Sequence, residues 1–100
     1  MNRGTPGGKD LICLVSTILA SHDDSLSWGV FENVGGDAVQ IQLRREGRRE
    51  SLILEEVQNR GISTDATAKT TEWIAQTLSN PSFGSAPNIA VYSWDGQRVP

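Results

Sequence analysis

The segment VQIQLR, residues 39 to 44, alternates apolar and polar side chains at every step. In an extended chain Val39, Ile41 and Leu43 point to one side, and Gln40, Gln42 and Arg44 to the other. Such a segment belongs to an antiparallel sheet with one face in a core and the other toward solvent. A helix cannot use this pattern, because at 3.6 residues per turn the two sets of side chains would mix on every face.

The flanking sequence extends the sheet. LSWGVFENV, with Trp28, Val30 and Phe31, also favours an extended chain, and the glycines of VGGD supply the positive φ that a tight hairpin demands. After Leu43 the chain turns around Gly47 into ESLILEE, where Leu52 and Leu54 repeat the inward alternation, so the spacing predicts a three-stranded meander. ESLILEEVQNRG also reads as a helix, with Ile53, Leu54 and Val57 on one side and Gly61 just past its end. A strand to about residue 55, followed by one turn before Gly61, is the reading we favour.

Two segments carry helical spacing. From Asp10, Leu11, Leu14, Val15, Ile18 and Leu19 recur at three and four residues, Ile12 widens the apolar stripe, and Asp10 is placed to cap the first turn. In ISTDATAKTTEWIAQTLSNP, Ser63 or Thr64 caps and Asp65 favours the first turn. Ala66, Thr70, Trp73, Ile74, Thr77 and Leu78 form the stripe, and Asn80 and Pro81 end it. NIAVYSW is a last strand, followed by a DG turn after which Gln97 to Val99 can add a brief edge pairing. The expected architecture is a small α+β domain of order α-β-β-β-α-β, a mostly antiparallel sheet with two helices packed on one face. Residues 1–9, rich in glycine, read as a flexible arm, and residues 10–100 as a single domain.

Composition bounds the function. A chain of 100 residues with 37% hydrophobic and 21% charged side chains has ordinary globular usage. A net charge of −3 excludes wholesale binding to nucleic acid or to an anionic membrane, and leaves only a local patch for such work. Cys13 lies in the run LICLVSTILA and reads as a small buried hydrophobe of a protein kept reduced. That run is too short to span a membrane, which takes roughly 20 apolar residues. A soluble cytoplasmic protein with no membrane contact is expected.

Catalytic chemistry is poorly supplied. One histidine and one cysteine cannot build a structural zinc site, and His22 is the only imidazole base. His22, Asp23 and Asp24 read as a solvated loop, and adjacent Glu55 and Glu56 diverge if they continue a strand. We therefore expect no catalytic, cofactor or metal residues, and a protein that is not an enzyme.

The notable surface feature is LRREGRRE. Residues 44 to 49 hold four arginines and one glutamate, while the rest of the chain has five basic and eleven acidic side chains. Arg44, Arg45, Arg48 and Arg49 suit phosphate or an acidic protein surface. Glu46 and Glu50 stand close enough to neutralise them, and no aromatic is interleaved for base stacking, so a solvated turn is the plainer reading.

Three tryptophans, Trp28, Trp73 and Trp94, are many for this length. Trp73 lies on the helical stripe and reads as core. Tyr92 and Trp94 share one face of the last strand, and if Ile89 and Val91 point inward they form an outward aromatic pair suited to an interface. The opposite facing is also open. The leading expectation is a non-enzymatic interaction module that self-associates, as a dimer, through Tyr92 and Trp94, with the arginine hairpin as a second surface and a further protein partner possible in kind. A nucleic-acid-binding regulator using the arginines is the alternative, and a small-ligand domain with a pocket near Trp28 and His22 the second alternative.

Overall fold

A computed structural model describes residues 6–21, 26–32, 36–79 and 89–98. Helix α1 (Pro6–Ile18) runs into one turn of 3₁₀ helix, Leu19–Ser21. Strands β1 (Leu26–Glu32), β2 (Val39–Arg45) and β3 (Arg48–Leu54) follow, then helix α2 (Thr64–Ser79) and strand β4 (Ile89–Tyr92). The sheet has the order β1-β2-β3-β4. Its first three strands form the antiparallel meander read from the sequence, while β4 pairs parallel to β3. A parallel neighbour needs a crossover, and α2 supplies it.

Register explains the core. Val39 lies opposite Leu54, Ile41 between Val30 and Leu52, and Leu43 opposite Trp28, so the inward set of β2 meets inward sets on both sides. Leu11, Val15 and Leu19 from the first helical segment, and Ala66 and Ile74 from α2, are buried in that same cluster. Both helices therefore cover one face of the sheet. Ser63 caps α2: its hydroxyl accepts from the Ala66 amide at 3.0 Å and donates to the Trp94 carbonyl at 2.5 Å, tying the helix start to the chain end.

Several boundaries differ from the sequence reading. Helix α1 starts at Pro6, so residues 6–9 belong to a helix and not to an arm; residues 1–5 lie outside the described chain. Proline suits the first helical position, and the next residue is buried against backbone: the Gly7 amide donates to the Gln58 carbonyl at 3.0 Å. Asp10 consequently sits inside the helix, where its carboxylate accepts from the Ile62 amide at 3.0 Å instead of capping its own first turn. Cys13 is exposed, because the buried stripe of α1 is Leu11 and Val15, and neither Ile12 nor Cys13 lies on it. Strand β3, by contrast, ends at Leu54 and is followed by turns before Gly61, in keeping with the strand reading favoured for ESLILEEVQNRG, with Glu56 and Gly61 at positive φ.

The last strand faces opposite to an outward aromatic pair. Ala90 is buried beside Leu52 and Tyr92 lies beside Leu54 on the helix-covered side, while Ile89 and Val91 point to the other face. The cause is the parallel register: the buried Leu52 and Leu54 of β3 fix which β4 residues share the core side. The short pairing anticipated after the DG turn is made within the chain, through a bridge between Tyr92 and Arg98.

Candidate functional site

With both helices on one side, the other face of the sheet is uncovered by any described element. Strand alternation assigns its residues: Ser27, Gly29 and Phe31 from β1; Gln40, Gln42 and Arg44 from β2; Arg49, Ser51 and Ile53 from β3; Ile89 and Val91 from β4. Phe31, Gln40, Ile53 and Val91 form one row across the four strands. Gly29, Gln42, Ser51 and Ile89 form the next, and Ser27, Arg44 and Arg49 the third. The first row is apolar except at Gln40, the second carries Gln42 and a buried Ser51 with an exposed Ile89 at its β4 edge, and the third is basic apart from Ser27.

The four arginines do not act as one cluster. Arg44 lies directly across from Arg49 on the uncovered face, whereas Arg45 lies across from Arg48 on the helix side. Glu50 pairs with Leu43 and so shares the side of Arg45 and Arg48, leaving no acidic residue among the strand positions of the uncovered face. The neutralisation expected from Glu50 is therefore directed away from Arg44 and Arg49. The connection between them is a two-residue turn, Glu46 and Gly47, with φ of 53° and 78°. Positive φ at both central residues is what a type I′ hairpin requires, and it keeps the twist of β2 and β3 continuous so that positions 44 and 49 stay directly opposite each other.

Phe31 is the residue that linear reading missed. Its side chain is 48% exposed. The ring leans back along its own strand over Gly29, where a Cβ would lie only 2.9 Å from Cζ and 3.0 Å from Cε2. Glycine at 29 is what lets an aromatic lie down on the sheet. Position 29 is paired with Gln42, and Arg44 stands two residues further along, about 7 Å away. An aromatic and two arginines, far apart in the sequence, thus share one surface. The signal was present in LSWGVFE: counting by two from Trp28 puts Trp28 and Val30 on one side and Gly29 and Phe31 on the other.

Tyr92 and Trp94 are half-buried and packed against the core. Each carries an arginine on its exposed side, Arg98 with its guanidinium 5.6 Å from the Tyr92 ring centroid and Arg60 with its own 4.9 Å from that of Trp94. Arg60 also stands 3.7 Å from the Glu56 carboxylate. These contacts order the chain end around the turn 93–97, where the Asp95 carboxylate accepts from the Ser93 hydroxyl and from the Gln97 amide. Both bonds favour the charged form, so the Asp95 carboxyl is held below the usual aspartate range.

Trp28 is half-buried against the core, and His22 lies outside the described residues, so a pocket between them has no described geometry. Among the described residues no group of three histidine, cysteine, aspartate or glutamate side chains is placed to hold a metal, and no helix is long and apolar enough to cross a membrane. Comparison with protein-family models, curated proteins and solved structures finds no match to this chain.

Proposed function

We propose that this chain is a non-enzymatic binding module whose working surface is the uncovered face of its sheet. One observation carries the reading: Phe31, Ile53, Ile89 and Val91 share that face with Arg44 and Arg49, and Phe31 and Ile89 stay 48% and 55% exposed. Ile53, Ile89 and Val91 adjoin across β3 and β4, Phe31 stands at the other edge of the same face, and apolar groups gathered on an open sheet face mark a contact surface. Tyr92 and Trp94 take a different role, holding the chain end against the core. The lone histidine and lone cysteine give catalysis little to work with, and a cytoplasmic setting suits an exposed, unpaired Cys13.

The test is amide chemical-shift mapping with defined partners: the protein itself at rising concentration, a short single-stranded oligonucleotide and an acidic peptide. Shifts confined to β1, β2 and β3 residues of the uncovered face support the reading. Shifts confined to the helices, or none with any of the three at millimolar concentration, refute it.

Self-association has its own supporting observation. Strand β1 is an outer strand, seven residues long, and no described strand pairs with its outer edge. Two copies joined β1 to β1 about a two-fold axis would form one continuous sheet and double the uncovered face without covering it. Sedimentation equilibrium with hydrogen exchange decides this: a dimer that forms with rising concentration and protects the outward amides of β1 supports it, and a monomer at every concentration eliminates it.

A further inference from the structure

We infer that the occupant of the uncovered face is single-stranded RNA, with a base stacked on Phe31 and the adjoining phosphates held by Arg44 and Arg49. The inference rests on the binding-module reading above and adds the chemistry of the partner. Its first support is charge. Arg44 and Arg49 stand side by side on a face with no acidic strand residue, although the chain as a whole carries −3. Like charges directly opposite on neighbouring strands destabilise a sheet unless an anion compensates them. A guanidinium pair is shaped for the oxygens of phosphate.

The second support is the arrangement around the ring. Phe31 lies over Gly29, half exposed, with Gln40 paired to its own position and Gln42 paired to position 29. Aromatic rings on open sheets bind unstacked bases, and flanking amides, each both donor and acceptor, can meet base edges and the ribose 2′-hydroxyl. The arginines stand about 7 Å along the strand from Gly29, so a base on the ring leaves its backbone within their reach. A flat sheet does not enter the groove of a duplex, which favours a single strand, and the amides of Gln40 and Gln42 beside the ring offer a partner to a ribose 2′-hydroxyl that DNA lacks, which favours RNA over DNA.

A second copy of the chain is a poor occupant of this face. A two-fold axis along the strands would set Arg44 and Arg49 against their own copies. An axis across the strands would set them against the row of Phe31, Ile53 and Val91. Both arrangements bury guanidiniums without a counter-charge.

Fluorescence anisotropy with a short labelled RNA of mixed sequence tests the inference on the full chain. Logarithmic affinity should fall with logarithmic salt with a slope of about −1.4, from about −0.7 for each of two phosphate contacts. The double change Arg44→Gln with Arg49→Gln should abolish that slope. Phe31→Ala should weaken binding about fivefold to a hundredfold at unchanged slope. Arg48→Gln, on the opposite side of the same hairpin, should leave affinity within about twofold, as expected for a residue outside the site. All these positions are exposed, so the variants test binding and not folding. Equal affinity for DNA of the same sequence overturns the choice of RNA. An acidic peptide that shifts the amides of this face while RNA does not overturns the inference and leaves the binding module standing. Loss of RNA binding on Arg48→Gln but not on Phe31→Ala overturns it as well, by moving the contact off the face.

Discussion

Replacing Gly7 with alanine sets two effects of opposite sign against each other. On an isolated helix the change is favourable by up to about 1 kcal/mol, because glycine loses more backbone entropy than alanine. In this fold the added Cβ would lie 2.0 Å from the Val57 carbonyl oxygen, 2.5 Å from its carbon and 3.0 Å from the Gln58 Cα. All three atoms are backbone, so no rotamer change relieves the overlap, and the two segments must part by at least the 1.0 Å that separates 2.0 Å from 3.0 Å. That movement strains the 3.0 Å hydrogen bond from the Gly7 amide to the Gln58 carbonyl. Overpacking costs about 1–3 kcal/mol and a lost hydrogen bond about 1 kcal/mol. Set against the propensity gain, the net loss is about 2 kcal/mol. For a domain of this size that corresponds to a Tm lower by roughly 8–16 °C. Urea and thermal unfolding followed by tryptophan fluorescence measure it, with Lys9→Ala as an exposed control in the same turn. A Gly7→Ala protein as stable as the parent, or more stable, would refute the close approach of α1 to residues 57–58.

Three further outcomes follow from single residues. The Thr70 hydroxyl is fully buried with no hydrogen-bond partner among the described residues, so Thr70→Val, which keeps the shape, should stabilise the fold by about 1 kcal/mol in urea titrations; a destabilised variant would show that the hydroxyl has a partner in solution. Glu46 holds φ of 53° in the hairpin turn, and Glu46→Asn should stabilise by roughly 0.5–1 kcal/mol, since asparagine adopts that conformation more readily. Unchanged stability with altered β2–β3 amide shifts would mean a different turn. Asp95 titrates below its unfolded value of about 3.9, so its contribution is present above that pH and is lost as pH falls through the lower folded value. Carbon-detected titration of its carboxyl should give a midpoint below that of Asp95 in a Ser93→Ala protein, and coincident midpoints would contradict the Ser93 contact.

The alternation of VQIQLR and the spacing of Ala66, Thr70 and Ile74 determined by themselves that this chain makes a half-covered sheet and an amphipathic helix, because period-2 and 3.6-residue patterns admit few other structures. Gly47 marked the β2–β3 turn for the same local reason, its tolerance of positive φ. Local pattern could not say which face of NIAVYSW turns inward, since both faces of that strand carry large apolar groups. The parallel pairing with β3 decided it, placing Ala90 and Tyr92 beside Leu52 and Leu54. Nor could it start α1 at Pro6, because glycines at 7 and 8 read as loop until the backbone at Val57 and Gln58 comes close enough to need them. The same holds for the candidate site. Four arginines close in sequence are divided between two faces by strand alternation, and Phe31, distant in sequence, joins two of them through the β1–β2 register. Contacts within a strand follow from its own residues, whereas contacts across strands depend on register, which is settled only when the buried faces are matched.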